Sequence, residues 1–425
     1  MSNFRGNVLK LVNGSVAAHA VGFLALPLLS RLFDPQAFGL LQLFQASLSL
    51  PLVMLSLRYE VALLEPPEDA TFLLVLQLCY WVMACMLVVT VGLWLLIASG
   101  LLAIPAKFEL IYGFIPFGLV AGGLLQVAGY ISLRQKSFGV IAAAKLLQVA
   151  GFSGVAVHAG FLFPRMALAL LFADVVGRMT AAFVCIRQDM GAHGRLLRTR
   201  LQKASLLEIA VKYKNFPILY LPGDLLSAIG AFIAPMSILT LYGAATTGQY
   251  ALVERSISVP LAVLAGAIAQ AHAAQFSDDL RNRSAGLLSS VRAFALKLLL
   301  IGVLPSLALA VLGPLLIELV FGSQWLVAGS IAQWMVPVFL STFVVFPLNM
   351  ALTLLGEQRM QLVWQAIRLG LVASVWFSAS RFNWDFVQAI QAHVVAQTTM
   401  NAVYLCILDR AIARRDAIVA SDRGG

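Results

Sequence analysis

The chain has 425 residues, of which 61% are hydrophobic and 11% are charged, and its mean hydropathy is +0.91. Soluble domains carry about 25% charged residues and fewer than half apolar ones, so a single water-soluble core is excluded. Lipid must be the main solvent of this chain, which is expected to be an integral membrane protein. The net charge is +10, but the basic residues lie in short loops between apolar runs, so we predict no nucleic-acid partner.

Apolar windows of about 20 residues predict twelve transmembrane helices. They cover residues 8–30, 37–57, 71–99, 111–133, 141–162, 165–187, 215–241, 246–273, 289–319, 327–350, 361–379 and 384–408. Several connections are only a handful of residues long, so sequential helices should be antiparallel neighbours. The sequence therefore predicts an all-α, polytopic membrane protein.

The Lys and Arg residues predict the orientation of these helices. With the N-terminus in the cytoplasm, 23 of the 29 Lys and Arg residues fall on the cytoplasmic side, four on the opposite side and two inside helices. Because positive charge collects in cytoplasmic loops, both termini are expected in the cytoplasm. The expected location is a bacterial inner (cytoplasmic) membrane.

The long connection 188–214 marks the middle of the chain. It is basic, and two interpretations stay open: an amphipathic helix on the anionic inner leaflet, or a solvated linker. On either interpretation it separates a six-helix lobe at 1–187 from a second six-helix lobe at 215–408, which is followed by a cytoplasmic tail at 409–425.

The two predicted lobes share a weak internal repeat. An offset of 209 residues aligns 10–60 with 219–269 and gives 11 identities in 51 positions. The informative matches are Gly14/Gly223, Gly39/Gly248, Ser47/Ser256, Ser49/Ser258 and Pro51/Pro260. Pro51 and Pro260 should bend the second helix of each lobe at the same depth. Because each lobe has an even number of helices, the pseudo-twofold axis should run along the membrane normal, as in parallel-repeat transporters.

Enzymatic signatures are missing from the sequence. There is no Gly-x-Ser-x-Gly, no Walker loop and no His-Glu-x-x-His, and the Cys and His residues lack metal-site spacing. We therefore predict no catalytic residues, no metal and no cofactor. Any active transport would then use a proton gradient, a sodium gradient, the substrate gradient or the membrane potential.

Charges inside the apolar segments are the strongest remaining signal, because such charges usually face a cavity or pair together. Arg255 lies about 13 Å deep at 1.5 Å per residue, which favours a cavity-facing position over snorkelling. Glu254 points about 100° away from Arg255 on an α-helix, so at least one of the two is expected to find its partner on another helix or on a ligand. The first repeat copy has Gln45 and Ala46 at these positions, so the fold itself does not require the charges.

Other charges leave more than one interpretation open. Asp224 could pair with a cation of another helix or bind a coupling ion, and Asp174 with Arg178 should form a structural i,i+4 ion pair. Arg58 could be a positive-inside anchor, or it could receive an anionic headgroup from the cytoplasmic side. The candidates for coupling or gating are Asp224, Glu254, Asp174, Pro51 and Pro260.

Two hairpin motifs resemble a known family. "GFLALPLLSRLFDPQAFGLLQLFQA" with "LRYEVALLEP", and "LTLYGAATTGQYALVERSISVPLAVLAGAIAQ", are similar to bacterial O-antigen and exopolysaccharide repeat-unit flippases of the multidrug/oligosaccharidyl-lipid/polysaccharide exporter superfamily. The resemblance implies a transporter that moves an undecaprenyl-diphosphate-linked oligosaccharide to the periplasmic leaflet by alternating access. It implies Arg255 and Arg58 as substrate ligands, with glutamines such as Gln45, Gln249 and Gln270 for sugar hydroxyls.

The same resemblance implies partners and competing functions. The expected partners are the lipid-linked oligosaccharide diphosphate, membrane lipids and a glycan polymerase or ligase acting outside, and the protein is expected to be a monomer. A cation-coupled multidrug exporter of the same fold is the alternative, and an N-lobe carboxylate cluster would favour it. A membrane glycan polymerase would need a large extracytoplasmic loop, which the sequence does not offer. A non-transporting scaffold would make Arg255 dispensable.

Overall fold

The structure is a computed structural model that describes residues 2–66, 68–100, 106–163, 165–188, 190–191, 194, 203–282 and 286–424. These residues form two compact units, Met1–Gly248 and Gln249–Gly425. The basic residues Arg195, Arg198 and Arg200 of the long connection lie outside the described residues. The predicted lobe boundaries at 187 and 215 stay a prediction.

All the regular secondary structure described in the first unit is helical. Its helices are α1 (Ser2–Leu32), α2 (Pro35–Met54), α3 (Tyr59–Ala62), α4 (Asp69–Ala98), α5 (Ala106–Arg134), α6 (Phe138–Leu162), α7 (Ala167–Gln188), α8 (Lys203–Lys212) and α9 (Leu221–Val253). A π-helical turn, Phe216–Tyr220, leads into α9, and the boundary between the units falls inside α9.

The second unit is also helical where it is described. It begins with the end of α9 and a second π-helical turn, Glu254–Ser258. The helices that follow are α10 (Val259–Arg281), α11 (Leu287–Phe321), α12 (Leu326–Trp334), α13 (Val336–Val345), α14 (Ala351–Leu354), α15 (Gln358–Arg381) and α16 (Phe386–Gly424).

Helices cover all twelve predicted segments, so the prediction of an all-α polytopic membrane protein is confirmed. Gly243, at φ 87°, interrupts α9 and separates the seventh predicted segment from the eighth. By length and composition, nine helical runs among the described residues can cross a membrane, with 216–281 counted as one run. The predicted linker contains α8, whose Leu206 and Ile209 are buried against the α4 side of the first unit.

Local sequence explains where α2 begins. Asp34 caps the helix, because its Oδ1 accepts a hydrogen bond of 2.8 Å from the Ala37 N–H. Pro35 occupies the first helical turn, where its missing N–H costs nothing. Gly39, which the internal repeat matches with Gly248, lies one turn into the helix.

Close backbone packing inside the first unit links the two copies of the repeat. A Cβ atom added at Gly39 would lie 1.9 Å from the carbonyl oxygen of Ala244, and one added at Gly248 would lie 1.7 Å from that of Pro35. Both relationships follow the same offset of 209 residues, so the contact between the start of α2 and the segment after Gly243 is reciprocal. Only glycine permits this approach, and the matched glycines are therefore a structural element of the repeat.

Candidate functional site

The site begins at a strained turn that carries Arg58. Helix α2 ends at Met54, three residues before the predicted end of the segment, and the chain then turns before α3. Leu57 and Arg58 both have left-handed backbone angles, with φ of 49° and 64°. Such a conformation costs a non-glycine residue roughly 1–2 kcal/mol, so the surrounding structure must hold it.

The buried carboxylate of Glu60 holds the turn. Its side chain is fully buried and accepts hydrogen bonds from the Ser56 hydroxyl, from the Gln126 amide of α5, and from Arg58 Nη1 at 3.2 Å. A buried charge is tolerated when it is paired and its remaining lone pairs are hydrogen-bonded, which describes this carboxylate. Glu60 therefore fixes both the turn and one edge of the Arg58 guanidinium.

A second arginine fixes the chain that follows. Arg134, at the end of α5, donates to the carbonyl oxygens of Leu63 at 2.8 Å and Pro66 at 2.6 Å. Its guanidinium carbon lies 4.7 Å from the centre of the Phe72 ring. Because these carbonyl groups and the Phe72 ring engage the guanidinium, Arg134 has a structural role in the site.

The other edge of Arg58 faces Asp224 near the start of α9. Arg58 Nε lies 2.7 Å from Asp224 Oδ2, and the side chains are 16% and 43% exposed, respectively. The contact is an ion pair by distance, although Nε makes no well-aligned hydrogen bond among the described residues. The structure thus brings together the predicted Arg58 and Asp224, with the cation largely buried and the carboxylate open to its surroundings.

A separate polar cluster lies deeper in the first unit. Asp174 accepts hydrogen bonds from Gln45 of α2 at 2.6 Å and from Arg178 Nε at 2.6 Å. The predicted i,i+4 ion pair is therefore confirmed, and Gln45 joins it from a neighbouring helix. Asp174 is buried, so this cluster ties α2 to α7.

The charged stretch of the second repeat copy forms the π-helical turn Glu254–Ser258. Glu254 binds hydroxyls of its own helix, those of Tyr250 and of Ser258 at 3.1 Å. Glu254 therefore has its partners within its own helical run, at the residues four positions before and after it. The expectation that at least one residue of the pair has its partner on another helix or on a ligand then concerns Arg255 and stays a prediction. The corresponding residues 45–49 are regular α-helix, so the charges coincide with a local change of helix type. π-Helical turns are frequent at functional sites.

The π-helical turn also changes the position of Arg255. The wider turn of these five residues breaks the 3.6-residue phase of the α-helix, so residues beyond the turn do not share a face with Arg255 at α-helical spacing. Arg255 is partly buried. Ser256, next to it, keeps a buried hydroxyl that has no hydrogen-bond partner among the residues that the structure describes.

Two predicted glutamines differ in their environment. Gln249 is buried, donates to the Gln324 carbonyl at 2.8 Å and accepts from the Ala328 N–H at 2.9 Å, so its amide is engaged within the second unit. Gln270 is exposed on α10. Gln270 is thus accessible to a ligand, whereas Gln249 would have to break two backbone hydrogen bonds to bind one.

The two prolines lie at different local structures. Pro51 is in the last turn of α2, shortly before the Arg58 turn, whereas Pro260 follows the π-helical turn and begins α10. The bend expected at the same depth in both lobes stays a prediction. Pro51 precedes a helix end, and Pro260 lies in a helical run that continues to Arg281.

Sequence reasoning did not assign Glu60, which belongs to the site, or Tyr220, which lies beside it. Glu60 lies inside the quoted stretch "LRYEVALLEP" without an assigned role, and the structure shows it as the buried acceptor of the Arg58 turn. Tyr220, four residues before Asp224, lies on the same side of its helical run and is 54% exposed. The i,i+4 spacing from an intramembrane aspartate was the sequence signal for Tyr220.

No family model and no curated protein matches the chain. Solved structures match it over nearly its whole length. An inward-facing multidrug resistance MATE family transporter of the MOP superfamily has a TM-score of 0.60 at 13% identity, covering 97% of this chain and 95% of that chain. A MOP superfamily transporter from Pyrococcus furiosus, described as having a binding pocket of reverse polarity, has a TM-score of 0.53 at 13% identity, covering 97% and 96%. A MATE in complex with MaD3S has a TM-score of 0.53 at 11% identity, covering 98% and 96%.

These similarities identify the fold. The chain has the fold of MATE-type transporters of the MOP superfamily, the superfamily in which the sequence resemblance also falls. At 11–13% identity they show the fold alone, and the cargo has to be argued from the residues of the site.

Proposed function

We propose that the chain is a transporter that moves an undecaprenyl-diphosphate-linked oligosaccharide from the cytoplasmic to the periplasmic leaflet of a bacterial inner membrane. One observation supports this cargo most directly. A largely buried arginine is fixed on a strained turn, and its outer edge is paired with a partly exposed carboxylate.

The chemistry of Arg58 suits a diphosphate. A guanidinium stays charged in low dielectric, and its planar donors match two oxygens of a carboxylate or of a phosphate. Glu60 occupies one edge from the buried side and remains in place. Asp224 occupies the other edge, and an incoming phosphate oxygen can take over its position 2.7 Å from Nε.

Asp224 and a phosphate of the cargo would occupy the same edge of Arg58 in turn, and this exchange gives the site a way to bind and then release its cargo. The bound state pairs Arg58 with the ligand and frees a carboxylate, which water can hydrate or a proton can neutralise. Return of Asp224 to Arg58 would then compete with the diphosphate. We propose that Asp224 is the coupling residue, driven by a proton or sodium gradient or by the membrane potential, without a resident cofactor or metal and without enzymatic activity.

Features elsewhere in the chain support the same cargo. The two hairpin motifs resemble polysaccharide flippases, and Arg255 offers a second cation in the second unit. Exposed Gln270 can contribute hydrogen bonds to sugar hydroxyls. We propose that the protein acts as a monomer and delivers its cargo to a glycan polymerase or ligase outside.

A cation-coupled multidrug exporter is the second candidate, and the local charge balance favours it. Arg58 stands between two carboxylates, Glu60 and Asp224, so this cluster carries more negative than positive charge. A lipophilic cation could approach the exposed Asp224 directly. The structural neighbours include a multidrug resistance transporter, which is consistent with this alternative.

Binding measurements separate the two candidates, because they predict opposite effects of the same substitutions. The full chain in nanodiscs is titrated with undecaprenyl diphosphate and, separately, with a lipophilic cation, tetraphenylphosphonium. For the flippase, Arg58→Gln weakens binding of the diphosphate lipid by about tenfold to a hundredfold, in line with the loss of a charged hydrogen bond. Asp224→Asn strengthens it, because the competing carboxylate is gone, and Arg58→Lys gives an intermediate affinity.

The control is Arg281→Gln, which removes an arginine that is 74% exposed and paired to Asp278. It should leave diphosphate binding unchanged. If Asp224→Asn instead abolishes binding of the lipophilic cation while Arg58→Gln leaves diphosphate binding intact, the exporter is the correct function.

A further inference from the structure

The surface beside Arg58 contains an exposed aromatic ring on a fixed support. Tyr220 ends the π-helical turn before α9, and its ring is stacked on Phe216 with 5.3 Å between centroids and 18° between planes. Phe216 is buried, whereas Tyr220 is 54% exposed. One face of the tyrosine ring is therefore supported while much of the remaining ring is open.

The support itself is rigidly packed. Phe216 belongs to a buried cluster with Leu206, Ile209 and Tyr213 of the α8 region, and the Tyr213 and Phe216 rings lie 6.3 Å apart. A ring that is held on such a support loses little side-chain entropy when it binds a ligand. Tyr220 is thus preorganised in a way that an isolated exposed tyrosine is not.

The position of Tyr220 relative to Arg58 is set by the helix. Tyr220 is the last residue of the π-helical turn, and the residues from Leu221 to Asp224 belong to the α-helix α9. Asp224 follows Tyr220 by four residues, so the two side chains share a face and are separated by roughly 6 Å along the axis. Asp224 contacts Arg58 at 2.7 Å. Because an exposed carboxylate facing lipid is costly, the face shared by Tyr220 and Asp224 is expected to open to a polar space.

We propose that Tyr220 stacks on the first sugar ring of the cargo, the one bonded directly to the diphosphate. The inference rests on the proposed function, in which Arg58 binds that diphosphate. The apolar C–H face of a pyranose packs against the electron-rich face of an aromatic ring, and the offset of about one helical turn fits a sugar adjacent to a bound phosphate. Tyr220 then makes the transporter prefer glycosylated lipid over bare lipid diphosphate.

The test compares two probes on the full chain in nanodiscs: undecaprenyl diphosphate, and the same lipid carrying one N-acetylglucosamine. The wild-type chain should bind the glycosylated probe more tightly by roughly 2- to 12-fold, the range expected for one aromatic contact. Tyr220→Leu should abolish this preference and leave affinity for the bare diphosphate unchanged. Tyr220→Phe should retain the preference, because the ring face remains.

The matched control is Phe183→Leu, which removes an aromatic side chain that is 64% exposed on α7. It should not change the preference. If Tyr220→Leu is not stable enough to purify, Tyr220→Gln replaces it, since the exposed position tolerates a polar side chain.

The outcomes distinguish the two proposals. If the preference is absent from the wild-type chain, or persists in Tyr220→Leu, the sugar-stacking role is overturned and Tyr220 is an ordinary membrane-interface tyrosine. If Arg58→Gln leaves binding of the bare diphosphate unchanged, the proposed function fails, whatever Tyr220 does.

Discussion

Replacing Gly39 or Gly248 with alanine tests the reciprocal contact between the two repeat copies. A methyl group at Gly39 would lie 1.9 Å from the Ala244 carbonyl oxygen, and one at Gly248 would lie 1.7 Å from the Pro35 oxygen. Both obstacles are backbone atoms, so no side chain can rotate away. The start of α2 and the segment after Gly243 must separate.

The size of the effect follows from these distances. A carbon–oxygen contact of about 3.3 Å requires a separation of roughly 1.4 Å at Gly39 and 1.6 Å at Gly248. Overpacking of this kind costs about 1–3 kcal/mol, and the rigid backbone places it in the upper part of that range. Alanine regains about 0.5–1 kcal/mol over glycine in a helix, so the net loss should be about 1–2 kcal/mol.

The measurement is the free energy of unfolding of the purified full chain, titrated with SDS in mixed micelles. Gly370→Ala in α15 is the control, because no heavy atom lies within 4 Å of its added Cβ. That variant should gain about 0.5–1 kcal/mol. The Gly39→Ala/Gly248→Ala double variant should lose less than the sum of the single losses, because one separation makes room for both methyl groups.

Two results would refute this reasoning. Either single variant could prove as stable as the Gly370→Ala control, which would mean that the contact is not tight. Full additivity in the double variant would mean that the two glycines do not share one interface.

Two further predictions concern the second unit. Gln249→Leu leaves the Ala328 N–H and the Gln324 carbonyl without their hydrogen-bond partner. The free energy of unfolding should therefore fall by about 1–3 kcal/mol for each buried group left unpaired. An SDS titration that shows no loss of stability would contradict the buried role of Gln249. Arg292 donates two hydrogen bonds, of 2.6 and 2.7 Å, to Asp409 and thereby lowers the pKa of that carboxyl. The pair should stabilise the fold at pH values above the ordinary aspartate pKa, and this stabilisation should be lost as the pH falls through the lowered pKa of Asp409. In Asp409→Asn the free energy of unfolding should therefore fall less steeply as the pH is lowered. An unchanged pH dependence would refute the stabilising role of this ion pair.

Hydropathy carries most of the information about the fold. Lipid requires every backbone group to be paired within its own helix, so apolar length alone locates the helices. The match of Gly39 with Gly248 also carried information, since these two glycines meet in the structure. Periodicity cannot register a change of helix type, and the π-helical turn at Glu254–Ser258 was therefore unpredictable.

The candidate site was predictable only in part. Asp224 was recognised as a charge inside an apolar segment and Arg58 as a charge at the cytoplasmic end of one, but their pairing depends on tertiary packing over 166 positions of the sequence. The left-handed turn at Leu57 and Arg58 leaves no sequence signal, because neither residue is a glycine or an asparagine. The role of Glu60 depends on the hydrogen bonds that Ser56 and Gln126 donate to it, and Gln126 lies 66 positions away in the sequence.

The most direct test of the central claim is translocation by the reconstituted protein. Proteoliposomes receive a fluorescent undecaprenyl-diphosphate-linked oligosaccharide, and its movement between leaflets is followed by a membrane-impermeant quencher. The wild-type chain and Arg281→Gln should translocate the lipid, and Arg58→Gln at the same protein level should lose most of that activity. Translocation by Arg58→Gln at the wild-type rate would contradict the account.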